Sequence, residues 1–271
     1  TGYAPGIAEQ GPEEGVADGV DQALAAVRYQ VKHGARVIKI CATAGVLSFD
    51  ATVGAQQLSD EEMVAIVQEA HRHGLKVAAH AHGAEGILAA VKAGVSSIEH
   101  GSMINDEAIA LMKRQGTYLV PTTYLADAID VATFPPAIRA KAEYILPLAK
   151  ANLSRAIRAG VRIGFGTDAA VYPHGWNARQ FAYMVRCGMS PMAAIRAATS
   201  RAAAYLGWAG EVGEISPGAL GDLVAVDGDP LTDVRVLEHP SLVIQGGRVV
   251  AGAVPGAPPA QSSSSSATTG K

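Results

Sequence analysis

The chain has 271 residues, 49% hydrophobic and 17% charged, with a net charge of −3 and only 5% aromatic residues. That length suits one large domain or two small ones, and low aromatic content beside abundant Ala, Val and Gly favours an α/β protein. The charge carries no basic footprint for nucleic acid, no apolar run reaches the about 18 residues needed to cross a bilayer, and two cysteines, Cys41 and Cys187, cannot build a disulfide framework.

Five junctions run from an amphipathic stretch through a glycine into a short apolar run. They are His33-Gly34-Ala35, His73-Gly74-Leu75, Ala93-Gly94-Val95, Gln115-Gly116-Thr117 and Ala159-Gly160-Val161. Glycine just past a helix end adopts left-handed backbone without a Cβ penalty, so each junction predicts a helix stop followed by a strand. The strands are expected near Arg36–Cys41, Leu75–His80, Val95–Glu99, Thr117–Pro121 and Val161–Thr167. Their nearly continuous apolar character predicts parallel strands covered on both faces. Helix starts agree with this register. Ser59-Asp60-Glu61-Glu62 reads as a capping box ahead of the apolar face Met63, Ile66, Val67 and Ala70. Asn105 and Ser190-Pro191 are further N-cap signals. Repeated units of this kind predict right-handed parallel β/α architecture, either a barrel or an open doubly wound sheet. After Val212 the character changes to short strand-like runs separated by turns such as Asp227-Gly228-Asp229-Pro230 and Gln245-Gly246-Gly247, predicting a small antiparallel appendage. Residues 254–271, with Pro and the run Ser262–Ser266, are expected to be a disordered tail.

Ionisable residues gather at the C-terminal ends of the predicted strands, where β/α folds place their active sites. Lys39 interrupts the apolar run Val37-Ile38-Lys39-Ile40 in the first strand; His80 and His82 end the second, His100 the third and Asp168 the last. Taken singly, a strand-end His is more often a hydrogen-bonded structural residue, Lys39 can snorkel to the rim, and Asp168 can cap a helix. Together they favour one shared site, because strand register sends all of them to the same rim. His33, His71 and His73 sit in helix C-terminal turns, where a cationic ring suits the dipole, and His239 precedes Pro240 in a turn.

These residues carry a resemblance. His33-Gly34-Ala35-Arg36-Val37-Ile38-Lys39-Ile40, Ala79-His80-Ala81-His82-Gly83, Ile98-Glu99-His100-Gly101, Gly166-Thr167-Asp168-Ala169 and the run Gly213–Leu223 continuing to Asp227–Leu231 resemble the amidohydrolase superfamily. The branch resembled is that of imidazolonepropionase-related enzymes and prolidase-like dipeptidases. The resemblance covers about residues 10–250 and implies a (β/α)8 TIM-like barrel with a small β-sandwich. It implies two divalent metal ions, with zinc, manganese or cobalt suited to the donors. Lys39 resembles the strand-four lysine carboxylated by CO2 to a carbamate that bridges both metals, a reaction of the neutral amine that burial would favour. His80 and His100 resemble the ligands of one metal, and Asp168 a ligand of the other and the proton shuttle. His82 is implied to face substrate as a catalytic oxyanion donor, with Tyr124 and His174 as further substrate contacts.

The family pattern also carries a His-x-His at the end of strand one, and the one His-x-His here, His80 to His82, matches strand five. The five predicted strands therefore correspond to strands four to eight. The expected organisation is a partial hydrolase barrel over residues 1–208, the C-terminal portion of a composite sandwich over 209–253, and the tail. The expected partners are a small-molecule substrate and a missing N-terminal segment of the same enzyme, with a homo-oligomer possible and neither nucleic acid nor membrane involved. The first residue is Thr1 and no signal peptide is visible, so the sequence assigns no compartment. The implied activity is hydrolysis of a C–N bond in an amide or dipeptide-like substrate bearing a carboxylate. A cyclic-amide hydrolase of the imidazolonepropionase type is the alternative, a deaminase is disfavoured by Lys39, and a non-catalytic binding module is the reading outside enzymology.

Overall fold

The computed structural model describes residues 15–47 and 52–252. Within them helix and strand alternate: α1 (Val20–Lys32), β1 (Val37–Cys41), α2 (Asp60–Arg72), β2 (Lys76–Ala81), α3 (Ala84–Ala93), β3 (Ser97–His100), α4 (Asp106–Gln115), β4 (Tyr118–Val120), α5 (Leu125–Ala128), α6 (Pro136–Ala159) and β5 (Arg162–Ile163). The five strands form one parallel sheet in the order β1-β2-β3-β4-β5, a topology consistent with a TIM-like barrel. All five junction glycines, Gly34, Gly74, Gly94, Gly116 and Gly160, take left-handed backbone with φ between 69° and 95°, as the chain reversal after each helix demands. No helix among the described residues is long and apolar enough to cross a membrane.

Strand pairing decides which residues are core. Ile38, Ile40, Val77, Ala79, Ile98, Leu119 and Ile163 point towards the helices and are buried with Met63, Ile66, Ile87 and Met112. Each fully buried side chain of this size, such as Met63, Ile87 or Met112, is worth about 1.5–3 kcal/mol relative to exposure. The opposite face differs from expectation. It carries Lys39 opposite Ala78 and His80 opposite Glu99, and at the β1 edge Val37 is 49% exposed and Lys39 is exposed. Burial alternates along β1, whereas in β2 and β3 the opposite-face residues Ala78 and Ser97 are buried as well. The fifth strand is also shorter than predicted, pairing only through Arg162 and Ile163. Its neighbour ends at Val120 because Pro121 has no N–H to continue the ladder.

The capping box before α2 forms as predicted: the Glu62 N–H donates to Ser59 Oγ at 3.2 Å, and the Ser59 N–H donates to Glu62 Oε2 at 2.7 Å. Glu62 Oε1 also accepts from the Gly19 N–H at 2.7 Å, tying α1 to α2. These donors, the Ser59 N–H first, hold the Glu62 carboxyl below its ordinary range. A carboxyl lowered on folding stabilises fully above its unfolded pKa, near 4.5, and that stabilisation is lost as pH falls through the folded value. Glu62→Gln is therefore expected to cost about 1 kcal/mol at neutral pH, with the melting-temperature gap from the parent closing below about pH 4. A gap that persists in acid contradicts this.

Three further helices follow, α7 (Arg179–Arg186), α8 (Pro191–Ala198) and α9 (Ser200–Leu206). Ser190 caps α8 by accepting from the Ala193 N–H, with Pro191 at its first turn. His73 and His33 serve structure as expected: His73 Nε2 lies 3.4 Å from the buried Glu69, which also pairs with Arg28 and Arg72, and His33 Nδ1 meets the Tyr29 carbonyl at 2.8 Å. The predicted appendage is an antiparallel sheet of β6 (Leu223–Ala225), β7 (Leu242–Gln245) and β8 (Arg248–Gly252), with Gly246 and Gly247 both left-handed at the hairpin turn. The apolar residues of β6 and β8, among them Val224 at 60% and Val250 at 57%, remain exposed, while Leu242, Val243 and Ile244 of β7 are half-buried. The expected tail at 254–271 lies outside the described residues.

Candidate active site

A cavity of about 390 Å³ opens at the C-terminal ends of the five parallel strands. Lys39 and Cys41 of β1, His80 of β2, His82 just beyond it, and His100 at the end of β3 line it, with Asp168 from the segment after β5. The fourth strand delivers no ionisable residue, as expected, but Thr122 stands just beyond its end in the same wall. Register explains the convergence: Cys41 lies opposite His80, and Ala81 opposite His100, so successive strand ends reach one level.

The three imidazoles form a triangle, with ring centroids 4.7 Å apart for His80 and His100, 4.8 Å for His80 and His82, and 4.9 Å for His82 and His100. One ring nitrogen from each lies within 4.8 Å of the others, and among the described residues this is the group able to hold a metal ion. His100 Nδ1 meets Thr122 Oγ1 at 2.7 Å and His82 Nδ1 meets Ser102 Oγ at 2.8 Å, which fixes each ring and leaves its Nε2 free of these contacts. Burial lowers all three pKa values: His80 to about 4, with the Lys39 charge adding to the effect; His82 to about 3; and His100 well below the ordinary imidazole range. Neutral imidazoles with free lone pairs are what metal coordination requires. Two of the converging residues also sit in left-handed backbone, His100 at φ 69° and Asp168 at φ 55°, and Ala170 beyond Asp168 at φ 102°. Such strain in non-glycine residues is characteristic of functional sites.

A family model described as the amidohydrolase family matches residues 3–250. The chain belongs to the amidohydrolase family. It is 38% identical over 245 residues to the ochratoxinase of Aspergillus niger, a match covering 88% of this chain and 51% of that protein. Among solved structures, a Xaa-Pro dipeptidase with methionine bound in its active site superposes with a TM-score of 0.86 at 43% identity, covering 91% of this chain and 62% of the other. A prolidase complexed with N-methylphosphonate-L-proline gives 0.82 at 34% identity, over 88% of this chain and 60% of the other. The amidohydrolase chain thus spans about half the length of the curated relatives it matches.

Not all of the predicted site residues line the cavity. Tyr124, expected to touch substrate, is 7% exposed and absent from the described cavity wall; its hydroxyl accepts from Arg179 Nη1 at 3.0 Å, and its ring meets Tyr172 edge-on. His174 is exposed and also does not line the cavity. Lys39 lines the cavity but is exposed, on β1 at the edge of the sheet among the described residues. His82, expected to face substrate, is as close to the other two imidazoles as they are to each other.

Sequence reasoning also missed the residues that hold the imidazoles. Gln180 of α7 is wholly buried; its Oε1 accepts from the Tyr124 N–H at 2.7 Å and its Nε2 donates to Thr123 Oγ1 at 3.2 Å, which pins the segment carrying Thr122. On the other side, Asn152 Nδ2 donates to the Ser102 carbonyl at 2.7 Å, and Asn152 Oδ1 accepts from Arg155 Nη1 at 2.6 Å. Thr122 stands at a strand end, the one available clue; Gln180 and Asn152 lie within helices and carry no local signal. Thr122→Val, which keeps shape and removes the hydroxyl, is expected to weaken metal affinity about 10–100-fold by competition against a chelating dye. Thr122→Ser should restore it, and equal affinities in all three proteins would remove Thr122 from the site.

Proposed function

We propose that this amidohydrolase is a metal-dependent hydrolase that cleaves a C–N bond in an amide or dipeptide-like substrate bearing a free carboxylate. The observation that supports this most strongly is the triangle of neutral imidazoles on the same wall as Lys39 and Asp168. His80 and His100 would hold one divalent ion, Asp168 another, and Lys39, as a carbamate formed by adding CO2 and releasing a proton, would bridge them. Divalent ions held in this way polarise a carbonyl oxygen and bring the pKa of water towards neutrality. Asp168 accepts the proton of the attacking water and returns it to the departing amine. His82 acts on the carbonyl oxygen: in the tautomer whose Nδ1 accepts from the Ser102 hydroxyl, Nε2 carries the proton and can donate. One such donor to a developing oxyanion is worth about 3 kcal/mol. The prolidase, dipeptidase and ochratoxinase relatives support acyclic amides over the cyclic-amide alternative.

The same reading covers the β1 edge, which pairs with no further strand among the described residues, and the exposed residues of β6 and β8. We infer that a further segment of the same polypeptide pairs with β1, completes the barrel and the sandwich, and adds ligands for the ion held by Asp168. Metal analysis of the full-length natural protein is expected to find two ions per chain, and the isolated 271-residue chain fewer. Two tightly held ions in the isolated chain contradict the inference. For the activity, a screen of N-acylated amino acids and dipeptides should reveal hydrolysis that a chelator abolishes and added divalent ion restores. Hydrolysis that survives exhaustive chelation overturns the metal-dependent reading.

A further inference from the structure

Ionisable residues make up part of the cavity wall, and Lys39 is the one Lys or Arg among its described lining residues. Another part extends along α6. Ala142, Ile145, Leu146 and Ala149 recur at helical i, i+3, i+4, i+7 spacing and line the cavity together, facing Leu125 of α5 and Ile129 just beyond it. An apolar stripe on a helix ordinarily packs against another element. Here Leu146 and Ala149 are only partly buried and border open space continuous with the imidazole triangle. Alanines at 142 and 149 leave room that larger side chains would fill, and none of these six residues is polar. Such a wall gains free energy by losing its water to an apolar group and penalises a charged one.

We propose that this wing is the specificity subsite of the enzyme. It takes a bulky, uncharged aliphatic or aromatic group flanking the scissile bond, with Leu146 and Ala149 setting its depth. The inference rests on the amide-hydrolase reading for its reaction but on the cavity wall for its selectivity. The test uses the full-length protein with two substrate series. One is N-acylglycines from acetyl to dodecanoyl; the other is N-acetyl amino acids from alanine to tryptophan. In at least one series kcat/KM is expected to rise about fourfold per added methylene until the wing is filled. Ala149→Phe should flatten that rise, and Leu146→Ala should move the plateau to larger groups, opposite changes that a folding defect does not produce. A flat profile in both series, or an unchanged slope in both variants, overturns the proposal. If no amide in either series is hydrolysed, the functional reading fails and the subsite is judged by calorimetry. Tighter binding of dodecanoylglycine than acetylglycine, lost in Ala149→Phe, supports the wing, and equal affinities overturn it.

Discussion

Replacing Asp168 with Asn is expected to lower kcat/KM for amide hydrolysis by about 10²–10⁴, the range associated with losing a positioned proton acceptor. Asn is the informative substitution because Asp168 sits at φ 55°, a left-handed conformation that Asn tolerates and most larger residues do not. The variant should therefore fold like its parent, with an unchanged melting temperature, and any loss of turnover is chemical. Metal content separates the two contributions of this side chain. Turnover lost with metal retained identifies proton transfer as the dominant contribution; metal lost in parallel identifies ligation. A variant that keeps its parent's kcat/KM would remove Asp168 from the reaction.

Gln180→Leu is expected to have the largest structural effect of any single change near the site. Leu fills similar space but leaves the Tyr124 N–H and the Thr123 hydroxyl without their buried partner. Orphaned groups of this kind cost about 1–3 kcal/mol each, so a loss of about 3 kcal/mol, or roughly 6–12 °C in melting temperature, is expected. Because the same segment carries Thr122 against His100, metal affinity should fall with stability. Gln180→Glu keeps the acceptor for Tyr124 but loses the donor to Thr123, and should fall between Leu and the parent. A Gln180→Leu protein that melts like its parent would show that the segment is held by other contacts.

Much of the fold was legible because it rests on local chemistry. Each of the five helix-to-strand junctions needed a residue free to enter left-handed backbone, and a glycine announced each one. Caps were equally legible: Ser59 with Glu62, Asn105 and Ser190 each bond the amides their spacing predicts. Tyr124 and His174 follow strand ends, and neither is among the residues lining the cavity. The fifth strand was overextended because its length depends on Pro121, which lies in a different strand segment.

The sequence by itself determined the order of elements, the parallel sense of the sheet and the convergence of Lys39, His80, His82, His100 and Asp168 on one rim. Those features follow from helix caps, strand periodicity and the shared direction of parallel strands, all set within a few residues of each position. Only the tertiary structure decided which hydroxyls hold His82 and His100 and that the middle of α6 borders a cavity. These depend on contacts between residues 20 or more positions apart, such as His82 with Ser102 and Gln180 with Tyr124. No local pattern encodes such a meeting, because packing chooses the partner after each element has formed.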